Sequence, residues 1–232
     1  MVSFTKLRTS HLVVLAVAVS CSLAVVALAR NGAPVKTPVP DPAFDAPIAA
    51  SAATETMVVA GGCFWGVQAV FQHVKGVVSA TSGYAGGTAN TAQYEIVSSG
   101  RTGHAESVKV TYDPSRVSYG QLLKIFFSVA HDPTQLNEQG PDVGPQYRSV
   151  VFAADDTQRR IARAYIDQLD TAKVFRRRIV TDVSSSRAFY EAEAYHQDYF
   201  TRHPLDPYIM INDRPKVEAL RRQFPELYVD HK

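Results

Sequence analysis

The 232-residue chain is expected to fold as an α+β protein, a ferredoxin-like α/β sandwich with a mixed sheet and long loops. Three observations point there. Segments of period-two and of 3.6-residue hydrophobic spacing follow one another as β-α-β-β-α-β. A composition of 46% hydrophobic and 20% charged residues is enough to bury a core. Glycine- and proline-rich stretches between Gly83 and Gly103, and between Asp132 and Tyr147, are longer than idle connections usually are.

Each element follows from its residues. Thr56–Ala60 reads as a short strand and Gly61-Gly62 as a turn; Val67, Val70, Phe71 and Val74 then fall on one helical face, stopped at Gly76. Val77–Thr81 returns as a strand. His104–Tyr112 alternates, with Val108, Val110 and Tyr112 on one face, until Asp113-Pro114 ends it. Ser118 and Gln121 form a capping-box pattern that opens a helix through Leu122, Ile125, Phe126 and Val129, closed by Asp132-Pro133. Ser149–Ala153 is a strand, Asp155–Ala172 a helix turning Ile161, Tyr165 and Leu169 inward, and Ile179–Val183 a further strand. The spacing predicts a helix over Phe189–Thr201. From Pro204 the chain has turn chemistry, with a short helical pattern at Lys216–Phe224.

Residues 1–29 read as a secretory signal peptide or an uncleaved N-terminal anchor. Lys6 and Arg8 precede an apolar run from Leu12 to Ala29 that ends in Ala27-Leu28-Ala29. Either way the following domain is exported, to the periplasm or another extracytoplasmic space. Residues 30–54, with prolines at 34, 38, 40, 42 and 47, read as an extended, mobile linker, and residues 55–232 as the folded domain. The 24 basic residues less Lys6 and Arg8 equal the 22 acidic ones, so the domain lacks the basic face that nucleic acid requires. Membrane contact is expected only through the N-terminal segment, if it stays uncleaved. The one basic run, Arg176-Arg177-Arg178, reads as a solvated strand end.

Export usually brings disulfides, but cleavage after Ala29 would leave Cys63 alone. A lone thiol in an oxidising compartment is a liability unless its reactivity is used. Placed just after Gly61-Gly62 at the first turn of a helix, Cys63 is expected to be stabilised as a thiolate by unpaired amides and the helix dipole. The two glycines would let another molecule approach the sulfur. Glu106 shares the parity of Val108, Val110 and Tyr112, so two readings stand: a carboxyl on the buried face, whose raised pKa would make it a proton donor, or a strand-end carboxylate paired with a lysine or solvent. Tyr94, Asp142 and Tyr147 lie in the long loops, and Phe64 and Trp65 follow the thiol directly.

In order and spacing, the strings GGCFWG, GYAGG, SGRTGHAE, YDP and HDPTQLNEQGPDVGPQYRS occur together. From Met57 to Phe200 the sequence resembles the A-type peptide methionine sulfoxide reductases. The resemblance implies Cys63 as nucleophile, Glu106 as acid, Phe64 and Trp65 as the wall receiving the substrate methyl, and Tyr94, Asp142 and Tyr147 as groups orienting the sulfoxide oxygen. FYEAEAYHQDY is also similar to the family and suggests His196 beside the site. The implied reaction is reduction of the S epimer of methionine sulfoxide, free or in proteins, through a cysteine sulfenic acid. A sulfoxide offers an electrophilic sulfur, a poor oxyanion leaving group and an apolar methyl, and so requires a soft nucleophile, a proton and an aromatic slot.

Departures from the family pattern are Pro141 and Pro145 around Asp142, and Ala92-Gln93 before Tyr94. Many relatives carry a resolving cysteine near the C-terminus, whereas Met210–Lys232 has none. No cofactor or metal is expected; an external thiol, a thioredoxin-like protein or a small thiol, would reduce the sulfenic acid. Two rival readings are a cysteine hydrolase with Cys63 activated by His104, His131 or His196, and a non-catalytic reader of oxidised methionine or redox sensor.

Overall fold

A computed structural model describes residues 38–50, 53–185 and 188–230; the segment read as a leader, residues 1–29, lies outside them. Strand β1 (Glu55–Ala60) leads through Gly61-Gly62 into helix α1 (Phe64–Gln72), and the chain returns as β2 (Val77–Ala85). A short helix, α2 (Tyr94–Val97), interrupts the first long loop before β3 (Ala105–Tyr112). Helix α3 (Tyr119–Ile125) begins at the capping box read from the sequence: Gln121 N–H donates to Ser118 Oγ, and Ser118 N–H to Gln121 Oε1. Its continuation, Phe126–Ala130, widens to π geometry before His131. The second long loop carries a two-strand ribbon, β4 (Glu138–Gln139) and β5 (Asp142–Val143), and leads to β6 (Val150–Ala153). Helix α4 (Asp156–Thr171) is capped by Asp155, which accepts from Gln158 N–H at 2.8 Å.

The strands β6, β1, β3 and β2 lie side by side in that order, all antiparallel, which is the arrangement of a ferredoxin-like βαββαβ unit. Two further strands widen it to six. After α4, β7 (Asp182–Ser185) pairs parallel to β6, and β8 (Phe189–Glu191) pairs antiparallel to β2, making the sheet mixed as expected. Alternation sorts the two faces. Val59, Val108, Val110, Tyr112 and Val151 join the main core under α1, α3 and α4, while Ala60, Ala85, Ala105, Val150 and Phe152 form a smaller cluster on the reverse. The chain then forms α5 (Tyr199–Arg202), a π turn (Ile209–Asp213) and α6 (Arg214–Gln223), which packs on α1.

Three sequence expectations are corrected. The helix expected over Phe189–Thr201 is a strand, a 3₁₀ turn (Ala194–His196) and a left-handed residue, Asp198 at φ 56°, before α5 begins. Pairing of Tyr190 with Tyr84 wins over helical spacing, and the Gln197 side chain extends the ladder, donating to Ser82 O at 2.9 Å and accepting from Ser82 N–H at 3.0 Å. The strand expected at Ile179–Val183 starts only at Asp182, because Val180 N–H is taken by Pro133 O at 2.8 Å and Ile179 N–H by Asp170 Oδ1 at 3.0 Å. Finally, the part of the expected mobile linker at residues 38–50 is fastened down. Tyr165 OH donates to Pro40 O at 2.7 Å, Lys124 pairs with Asp41 at 2.7 Å, and Asp45 accepts from Ser118 Oγ at 2.5 Å and from Gly120 N–H at 2.8 Å. Asp45 thereby acts as a second cap on α3, possible because Gly120 has no Cβ to fill the place its carboxylate takes.

Candidate active site

Cys63 is the N-cap of α1 and is 7% exposed. Its position depends on both glycines before it. A Cβ on Gly61 would lie 3.0 Å from His131 and Phe126; Gly62 has φ +89° and faces Gln139 at 2.4 Å. Gln139 in turn clasps the backbone of Asp132, accepting from its N–H at 2.9 Å and donating to its O at 3.1 Å. The glycines were expected to admit another molecule to the sulfur. Gly61 admits the His131 and Phe126 rings and Gly62 the Gln139 side chain instead, which fixes the turn from which Cys63 projects.

Glu106, 4% exposed, pairs with Tyr84 across the β2–β3 ladder, and its Oε2 accepts from Phe64 N–H at 3.1 Å. One of the free amides at the start of α1 is thus spent on the carboxyl beside the thiol. Burial outweighs that hydrogen bond, and with Asp142 and Asp213 nearby it pushes the Glu106 pKa up to about 8. The carboxyl is therefore protonated at neutral pH, the first of the two readings that its parity on the strand left open.

For Cys63 the expected thiolate is overturned. Burial, then the Glu106 and Asp213 carboxylates, hold the thiol well above its ordinary value, with Asp142 adding to them; the lowering pull of the Trp65 amide is smaller. No side-chain hydrogen bond closes the cap. In a site without substrate, both the thiol and its neighbouring acid rest protonated.

Around the sulfur lie rings from five separate segments. Trp65 stacks on Tyr199, with centroids 3.7 Å apart at 7°, and meets Tyr208 edge-on at 5.8 Å. Its Nε1–H donates to His196 Nδ1 at 3.2 Å. Because Nδ1 accepts, the neutral ring carries its proton on Nε2, a buried atom with no partner. His196 packs between Phe64 at 5.0 Å and Tyr94 at 4.4 Å, and burial lowers its pKa. Tyr94 and Tyr147 both have their phenols held above the ordinary range by burial and, next, by Glu106; Cys63 acts on both as well. Asp142 accepts a very short hydrogen bond from Tyr208 OH, while burial raises its pKa. The structure thus gathers Cys63, Glu106, Phe64, Trp65, Tyr94, Asp142, Tyr147 and His196 in one place.

Sequence reasoning missed several members. Glu193 accepts from Tyr84 OH at 2.7 Å and from Tyr94 N–H at 2.9 Å, tying β8 to the loop that carries Tyr94. Tyr199, Tyr208, Asp213 and Lys216 come from the tail. Gly66 was the available signal: a glycine inside a helix pattern marks a close approach, and a Cβ there would sit 2.1 Å from Asp213 Oδ1. Each histidine of the hydrolase reading has a hydrogen-bond partner other than Cys63. His104 lies between Gly87 N–H and Thr88 O, His131 between Phe126 O and Ser149 Oγ, and His196 accepts from Trp65. Among the described residues, no group of three or more His, Cys, Asp or Glu is arranged to hold a metal ion.

A buried cysteine at a helix start, beside a protonated carboxyl and an aromatic slot on a ferredoxin-like sheet, defines a thiol enzyme whose acid works at neutral pH. The model of the peptide methionine sulfoxide reductase family matches residues 55–228, extending through the tail. "Peptide methionine sulfoxide reductase MsrA 2" of Mesorhizobium japonicum is 62% identical over 179 residues, 77% of this chain and 92% of the relative. Its namesake from Synechocystis is 51% identical over 195 residues, 83% of this chain and 91% of the relative. Mxr1 from Saccharomyces cerevisiae in reduced form superposes with a TM-score of 0.60 at 31% identity, covering 66% of this chain and 87% of that one. The chain belongs to the A-type peptide methionine sulfoxide reductase family.

Proposed function

We infer that the chain reduces the S epimer of methionine sulfoxide, in peptides or free, with Cys63 as nucleophile and Glu106 as general acid. The observation that carries this reading is the Glu106 carboxyl, buried and protonated up to about pH 8 and joined by Phe64 N–H to the residue next to the thiol. Phe64 and Trp65 wall the methyl, and the Tyr94 and Tyr147 phenols, with Asp142, hold the sulfoxide oxygen. Cys63 Sγ attacks the substrate sulfur as Glu106 gives its proton to the oxygen. The hydroxyl then passes to Sγ as its bond to the substrate sulfur and the new S–S bond break, releasing methionine, and the thiol proton returns Glu106 to the acid form. The net change moves one oxygen: methionine sulfoxide gains two electrons, and Cys63 becomes a sulfenic acid.

Cys63 is the one cysteine among the described residues. An external thiol therefore regenerates it, forming a mixed disulfide with loss of water; a second thiol then releases Cys63. A thioredoxin-like protein or a small thiol fits this role. The domain is exported behind residues 1–29, a reading supported by the basic flank and apolar run of that segment.

The test incubates the protein and dithiothreitol with each sulfoxide epimer of N-acetylmethionine. Consumption of the S epimer alone, lost in Cys63→Ser, is expected; turnover of the R epimer, or of neither, would refute the assignment. Hydrolysis of an acyl substrate without added thiol would restore the hydrolase reading.

A further inference from the structure

Lys216 Nζ and Asp213 Oδ1 form an ion pair at 3.0 Å, with side chains 10% and 0% exposed, at the start of α6. Asp213 Oδ2 is buried without a hydrogen-bond partner, an unusual state for a carboxylate oxygen. The pair lies against α1 where Gly66 has no side chain: a Cβ there would fall 2.1 Å from Asp213 Oδ1 and 2.8 Å from Lys216 Nζ. Gly66 is the third residue after Cys63, one turn along the same helix. Buried ion pairs rarely stabilise a fold better than apolar residues of similar size would, so this one invites a functional explanation.

We propose that Asp213, anchored by Lys216 and admitted by Gly66, is a positioning residue that holds Cys63 as a protected thiol until substrate enters. The titratable groups that act electrostatically on the sulfur divide by element. Glu106 comes from β3, Asp142 from β5, and Tyr94 and Tyr147 from the two long loops; Tyr199, Tyr208 and Asp213 come from the tail. Of the carboxylates, Glu106 is neutral below about pH 8, and burial raises the pKa of Asp142 against the opposing pull of its Tyr208 hydrogen bond and of Lys216. Burial raises the pKa of Asp213 as well, and the buried Lys216 ammonium at 3.0 Å opposes that rise and favours the carboxylate. Its negative charge disfavours a second one on sulfur, which keeps an isolated cysteine from reacting with oxidants in the absence of substrate.

The readout is the pH dependence of Cys63 alkylation by iodoacetamide, a neutral probe, which does not depend on the reductase assignment. In Asp213→Asn the midpoint is expected at least about half a pH unit lower, with alkylation at pH 7 about threefold faster. Inactivation by hydrogen peroxide should accelerate in parallel, and Asp213→Glu should restore the parent midpoint. Should a lone buried cation prevent folding, the double variant Asp213→Asn/Lys216→Met removes both charges and is expected to shift the midpoint the same way. A midpoint unchanged or moved toward alkali in the folded variant, with only thermal stability altered, overturns the proposal and leaves the pair a structural one.

Discussion

At Glu106, burial makes the carboxyl a donor at neutral pH, and the same burial has a thermodynamic signature. Its folded pKa of about 8 lies above the unfolded value, so the stability it contributes is complete at acid pH and is lost as pH rises through 8. Glu106→Gln, which keeps shape but cannot ionise, is expected to unfold roughly 5 °C higher than the parent at pH 8.5 and to match it at pH 4, read by thermal melts. Reductase kcat should fall about 100-fold or more in that variant, and in the parent should decline as pH passes 8. At this scale the sequence was most legible. The strand, glycine turn and helix around Cys63 and the strand parity of Glu106 made both candidates, and the resemblance carried by the motifs assigned their roles. The protonation of Cys63 was not legible, because it depends on Glu106, Asp142 and Asp213, which reach the sulfur from distant elements.

Elements hold these residues through contacts that local pattern does not encode. The turn before α1 requires Gly62, whose φ of +89° and close approach to Gln139 leave no place for a methyl. Gly62→Ala is expected to lose about 1–3 kcal/mol in urea unfolding and to lower activity along with it, since the displaced loop also carries Asp142. On the other side of α3, the segment 38–50 acts as a brace. Asp45→Ala, removing the bonds to Ser118 and Gly120, should cost about 1 kcal/mol while leaving kcat unchanged. Proline content had that segment read as a mobile linker. Its attachment was hidden because Asp41, Asp45 and Pro40 find their partners on α3 and α4, far along the chain. For the same reason Phe189–Thr201 was read as a helix: the β2 edge that recruits it lies a hundred residues earlier.

Across the whole molecule, acid removes stability at a second buried group. His131 is buried with Nδ1–H donated to Phe126 O, which fixes the neutral tautomer accepting from Ser149 Oγ, and burial pushes its pKa down to about 3. A folded pKa below the unfolded one gives stability that is present above the unfolded value and lost as pH falls toward 3. The loss should reach about 2 kcal/mol by pH 5, seen as a falling melting temperature that His131→Gln flattens. The ferredoxin-like arrangement was readable because four strands and two helices each carry their own periodicity. The tail, which closes the site with Tyr199, Tyr208 and Asp213, was not, since its short turns gain meaning only from the helix they cover.

The borders of the sheet complete the picture. β7 and β8 are four and three residues long, and β7 is built from Asp182, Val183, Ser184 and Ser185. Rims so abbreviated, one of them largely polar, offer little template for a foreign strand to zip onto. A catalyst working among oxidised, half-unfolded polypeptides can then engage their sulfoxides without being drawn into their aggregates.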